Sequence, residues 1–61
     1  MNKEQIKGNW NQLKGKVKEK YGVAIDDLDT KSEGIKDQVI GKIQKETGKA
    51  KEDVKKFIDE L

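Results

Sequence analysis

The stretch Ile6-Lys7-Gly8-Asn9-Trp10-Asn11-Gln12-Leu13-Lys14-Gly15-Lys16-Val17-Lys18-Glu19-Lys20-Tyr21-Gly22 decides the fold class. Its large apolar residues, Ile6, Trp10, Leu13, Val17 and Tyr21, are separated by steps of four, three, four and four. That spacing marks one face of an α-helix. Upstream, Asn2 suits the N-cap, with Gln5 three residues on as its reciprocal partner. Lys16, Lys18 and Lys20 load the last turns, where cations favour the helix dipole, and Gly22 stands where a terminating glycine belongs. The spacing predicts a helix over residues 3–21.

Working outward, the pattern recurs. Gly8, Gly15 and Gly22 are seven apart, and Gly34, Gly41 and Gly48 repeat them after a shift of 26 residues. Gly15-Lys16-Val17 matches Gly41-Lys42-Ile43, and Asp26-Asp27-Leu28 matches Glu52-Asp53-Val54. In the first copy, a short helix is expected over Val23 to Asp29, with Ile25 and Leu28 on one side. Thr30 and Glu33 form a candidate capping box that restarts the chain. A second long helix is expected from about Lys31 to Thr47, carrying Ile35, Val39, Ile40 and Ile43, and a last one from Lys51 to Glu60, carrying Val54, Phe57 and Ile58. The expectation is therefore one all-α domain over residues 1–61, with repeats at about 3–29 and 31–58. Its four helices form two duplicated long–short α-hairpins packed into a small bundle. Trp10, Leu13, Val17, Ile40, Ile43 and Phe57 are the expected core.

Composition sets narrow limits. Apolar residues make up 31% of the 61 and charged residues 43%, a balance that leans toward disorder. The charges nearly cancel, however, at 14 Lys against 12 acids, so self-repulsion does not expand the chain. They are also segregated. Residues 1–22 hold six Lys and two Glu, whereas 23–34 hold one Lys and four acids. Residues 35–51 hold five Lys and two acids, and 52–61 hold two Lys and four acids. Basic long helices thus alternate with acidic short segments. This suits mutual attraction, although solvated faces are the commoner meaning of such runs.

The interior glycines are harder to place. With about 100° of rotation per residue, Gly8 and Gly15 point away from the apolar stripe of the first helix, as Gly34 and Gly41 do in the second. Ordinary core packing does not account for them, and glycine inside a helix costs about 1 kcal/mol relative to Ala. A close approach by the other hairpin, deliberate marginal stability and a docking groove are the competing readings. Gly8, Gly15, Gly34 and Gly41, with Lys7 and Lys14, form the candidate interaction face.

Several function classes lose their support. The chain has no His and no Cys, which removes the usual general base, the thiol nucleophile and the common zinc ligands. Asp26, Asp27, Asp29 and Glu33 lack the spacing and central glycine of a calcium loop. No catalytic residue, metal or cofactor is expected, and the chain is not expected to be an enzyme. All basic residues are Lys, which favours solubility over the bidentate base reading of Arg. No run approaches a membrane span, and the N-terminus lacks the apolar stretch of a signal peptide. A cytoplasmic protein starting at its native methionine is expected.

Met1-Asn2-Lys3, Gly8-Asn9-Trp10, Lys14-Gly15-Lys16-Val17-Lys18 and Gly22 are joined by Asp26-Asp27-Leu28, Gly34, Gly41-Lys42-Ile43-Gln44 and Gly48. Together they closely resemble the CsbD family of small bacterial stress proteins, over almost the whole chain. The resemblance implies a bacterial cytoplasmic protein of the general stress response, folded as two packed helical hairpins, with no catalytic residues to carry over. The family often shows Leu-Thr before the acidic run, where this chain has Ala24-Ile25, and an aromatic before the last comb glycine, where it has Thr47. The expected function is that of a stress-induced hydrophilic protein acting through bulk surface chemistry or weak association with protein partners or itself. The alternative is a binding module that takes nucleic acid or a protein through its Lys-rich long helices, with nucleic acid the less favoured partner.

Overall fold

The computed structural model describes residues 2–61 and is all-α over those residues. Its elements are α1 (Lys3–Gly8), α2 (Trp10–Tyr21), α3 (Ile35–Thr47) and α4 (Lys51–Asp59). The radius of gyration is 10.2 Å, against about 10.5 Å for a compact domain of this length. The charge-rich chain is therefore collapsed. It manages this by keeping its large apolar side chains, among the described residues, away from full exposure. Ile6, Leu13, Val17, Val23, Ile25, Ile35, Val39, Ile40, Ile43, Val54 and Ile58 are buried, and no large hydrophobic residue is exposed among the described residues.

The long N-terminal helix is interrupted at one residue. Asn9 has φ −116° and ψ 30°, outside helical values, and so splits α1 from α2. Asn disfavours helix interiors, and here it follows a glycine, so the break falls at the weakest point of the sequence. The cap at the other end of α1 forms as its residue types require. The Gln5 backbone N–H donates to Asn2 Oδ1 at 2.8 Å, and the Asn2 backbone N–H donates to Gln5 Oε1 at 3.0 Å.

The first short helix is absent. Residues 23–25 have no regular structure and residues 26–34 form a run of turns and bends, where a helix was expected over Val23 to Asp29. Three physical reasons account for this. Val23 and Ile25 are both buried while Ala24 between them is exposed, the alternation of an extended segment rather than a helix. The second copy continues its apolar face with Phe57 and Ile58, but the matching places in the first copy hold Lys31 and Ser32. Local side chains also capture the backbone. The Lys31 N–H donates to Asp29 Oδ1 at 2.9 Å and the Gly34 N–H to Ser32 Oγ at 3.3 Å, a competition that disfavours helix.

The Thr30–Glu33 capping box does not form either, because the Glu33 carboxylate pairs with Lys3 instead of reaching back. α3 consequently starts at Ile35, four residues later than expected. The four-helix count is met by the split of the first long helix, and only the second half forms a long–short hairpin, with α3 packed on α4. α1 also packs on α3. Of the expected core, Leu13, Val17, Ile40 and Ile43 are buried. Trp10 and Phe57 are only partly buried and pack against the core from its rim, Trp10 because so large a side chain is rarely enclosed completely and Phe57 because its ring meets that of Tyr21.

Gly22 and Gly48 adopt φ of 71° and 74°, and their N–H groups donate to the carbonyls of Lys18 and Gln44, each at 2.8 Å. Both close their helices in the left-handed conformation that L side chains resist. Thr47 reinforces the second stop. Its hydroxyl donates to the Ile43 carbonyl at 2.6 Å and accepts from the Lys49 N–H at 3.2 Å. Gly22→Ala or Gly48→Ala is expected to cost about 1 kcal/mol, lowering Tm by roughly 4–8 °C in a thermal melt followed by circular dichroism.

Candidate functional site

The candidate glycine face is open. A Cβ built at Gly8, Gly15, Gly34 or Gly41 would meet no atom within 4 Å. Of the three competing readings, a close approach by a second backbone is therefore not what the glycines serve. Only Gly15 and Gly41 lie inside helices, because Gly8 ends α1 and Gly34 precedes α3 with φ −96° and ψ 26°. Gly8 borders a shallow depression beside Trp10, and Gly41 borders a separate one beside Asp27 and Lys42. Neither depression contains a second member of the glycine set.

Lys7 and Lys14 are half-buried. Lys14 Nζ lies 3.7 Å from Asp26 Oδ2, and Lys7 adds to the positive field at Glu33. Both candidate lysines thus stand close to carboxylates of the same loop.

This arrangement extends across the molecule. Lys42 donates to Asp27 Oδ1 at 2.5 Å, Lys36 donates to Asp59 Oδ1 at 2.7 Å, and Lys3 pairs with Glu33. With Lys14–Asp26, each of these pairs joins a lysine of a basic helix to an acid of an acidic segment. The lysine side chains are 23–33% exposed and the acids 40–86%. The lysine stems lie along the apolar edge while their ammonium groups reach carboxylates in water. The segmental charge alternation in the sequence identified which segments attract. It could not identify Lys3, Lys36 and Lys42 with Glu33, Asp59 and Asp27, because pairing depends on the angles at which the helices pack.

The same contacts set the ionisation of these groups. Hydrogen bonds from Lys42 and Lys3 hold Asp27 and Glu33 below their ordinary values, and Asp59 is lowered to about 2, with the bond from Lys36 as the largest cause. Its hydrogen bond to Glu33 raises Lys3. Of the acids near residue 26, Asp26, Asp27 and Glu33 each turn to a different lysine, while Asp29 accepts from the Lys31 backbone N–H. Among the described residues, no cluster of three or more His, Cys, Asp or Glu is placed to hold a metal.

A further contact joins α2 to α4. The rings of Tyr21 and Phe57 meet edge to face, with centroids 5.3 Å apart, and Lys20 Nζ lies 5.1 Å from the Phe57 centroid. Burial raises the Tyr21 hydroxyl pKa, and the Asp53 charge adds to the shift. The cluster borders a shallow depression with Lys49, Lys56 and Glu60. The stripe position of Tyr21 was legible in the sequence, but its partner was not.

The family profile described as CsbD-like matches residues 4–56. This chain belongs to the CsbD-like family. It is 49% identical over 59 residues to the UPF0337 protein YjbJ of Escherichia coli O6:H1, spanning 97% of this chain and 86% of that protein. The UPF0337 protein ECA0631 of Pectobacterium atrosepticum is 50% identical over 58 residues, spanning 95% of this chain and 84% of its own length. The UPF0337 protein pc0632 of Protochlamydia amoebophila is 45% identical over 56 residues, spanning 92% and 85%. No solved structure matches the chain. Among the described residues, no helix is long and apolar enough to cross a membrane.

Two outcomes follow from this geometry. Gly15→Ala and Gly41→Ala each place a methyl in open space on a helix, and each is expected to add about 1 kcal/mol and raise Tm by roughly 4–8 °C. The lowered carboxylates stabilise the fold above their ordinary values of 3.8 and 4.5, and this is lost as pH falls through the folded-state values. The raised Lys3 contributes below its ordinary 10.5 and loses that contribution as pH rises through its folded-state value. Tm is therefore expected to be flat from about pH 5.5 to 9 and to fall on both sides. The acid limb is expected to flatten in a variant combining Asp27→Asn, Glu33→Gln and Asp59→Asn.

Proposed function

We propose that this CsbD-like protein is a non-enzymatic, stress-induced protein of the bacterial cytoplasm that protects other macromolecules through its hydrated, charged surface. The observation that carries this reading is the contrast between interior and surface. No large hydrophobic residue is exposed among the described residues, while 43% of the chain is charged and the net charge is only +2. Such a surface holds water and repels neither acidic nor basic neighbours, so the protein can crowd against clients without sticking to them. Its associations, with clients or with itself, are weak on this reading. The bacterial relatives, and the stress role that the resemblance to the CsbD family implies, supply the setting.

The 26-residue sequence repeat supports descent from one duplicated helical hairpin. On this reading the first copy exchanged its short helix for a loop held by lysines, and the second kept the ancestral form.

A nucleic-acid or protein-binding module using the basic helices is the alternative. It is less favoured because Lys3, Lys14, Lys36 and Lys42 already face acids of the same chain. A labile enzyme dried and rehydrated with increasing amounts of this protein is expected to retain activity in proportion to the amount added. Lys7→Glu with Lys14→Glu is expected to leave that protection unchanged. Protection that saturates at a fixed stoichiometry and vanishes in this variant would establish the binding module instead.

A further inference from the structure

Residues 26–34 lie between two anchors. Ile25 and Ile35 are both 0% exposed, and no residue between them is buried. Backbone hydrogen bonds within the segment and to its anchors span only three residues, from the Leu28 N–H to the Ile25 carbonyl, from the Ser32 N–H to the Asp29 carbonyl and from the Ile35 N–H to the Ser32 carbonyl. They shape the turns but do not dock them. The half-buried Leu28 supplies the segment's apolar contact with the core. One neutral side-chain bond ties its C-terminal end to α3, from Gln38 Nε2 to Ser32 Oγ at 2.9 Å, and the charged ties are three ion pairs with three different helices: Glu33 to Lys3 of α1, Asp26 to Lys14 of α2 and Asp27 to Lys42 of α3.

We propose that residues 26–34 are an ionic latch, a strap held against the helical body by these three ion pairs and released when salt rises. The physical basis is the difference between the forces on either side of the anchors. Burial of Ile25 and Ile35 does not weaken with ionic strength, because salts that are excluded from apolar surface leave or strengthen it. Attraction between exposed charges does weaken, with the screening length falling from about 30 Å at 0.01 M salt to about 3 Å at 1 M. Three pairs that share one short segment lose their hold together, whereas the core persists. Release also leaves Lys3, Lys14 and Lys42 without their internal counter-ions. The latch concerns the chain alone and is independent of any protective activity, so failure of either reading leaves the other standing.

The test is backbone 15N relaxation on the full chain at constant pH, in about 0.01 M and about 1 M NaCl. At low salt, residues 26–33 are expected to show order parameters near 0.85, like α3, and at high salt to fall to about 0.6 or below while α3 is unchanged. Asp26→Asn, Asp27→Asn and Glu33→Gln together are expected to give the low values at both salt concentrations. Exchanging one pair, as Asp27→Lys with Lys42→Asp, is expected to restore the salt response of the unaltered chain. Order parameters that do not change with salt overturn the latch. So does a fall shared by α3, which would mean that salt loosens the whole fold rather than the strap. The salt comparison on the unaltered chain decides the question even if the triple variant fails to fold.

Discussion

Four buried aliphatic residues on one helix, Ile35, Val39, Ile40 and Ile43, give α3 an apolar face wide enough to pack against both α1 and α4. Among the described residues, no other helix carries more than two buried residues. α1 contributes Ile6, α2 contributes Leu13 and Val17, and α4 contributes Val54 and Ile58. Each of these helices is too short and too sparsely apolar to hold structure alone in water. They acquire stability by adding to the core that α3 organises. Even the irregular segment joins in this way, by placing Val23 and Ile25 inside.

Once the apolar residues are committed to that core, the charged ones must cover it. Half-buried lysines reaching acids on a neighbouring segment solve two problems together. The stems shield the edge of a core that would otherwise be wetted, and the paired ends keep opposite charges close without burying either. Exposed pairs of this kind contribute little one at a time. Here their importance is positional, because three of them act on the single loop that no buried side chain secures between Ile25 and Ile35.

The helical stripes, both glycine stops and the Asn2–Gln5 cap were legible in the residues because each depends on contacts within one or two turns. The loss of the first short helix was partly legible. Lys31 and Ser32, standing where the second copy has Phe57 and Ile58, leave nothing for another helical turn to bury. The Thr30–Glu33 cap misled for a different reason. Its motif is local, but the Glu33 carboxylate was claimed by Lys3, 30 residues away. The glycine face shows the same limit. Helical phase correctly turned Gly15 and Gly41 away from the apolar stripe, but only the packed molecule shows that the space above them is empty.

Sequence alone determined that this is a small helical chain with two left-handed glycine stops and alternating basic and acidic segments, since periodicity, capping and charge are properties of neighbours along the chain. Tertiary structure decided which lysine meets which acid, that Trp10 and Phe57 sit at the rim, and that residues 23–34 form a clasped loop rather than a helix. Those outcomes depend on how a limited apolar surface is shared among all the elements at once, and no segment can settle that by itself.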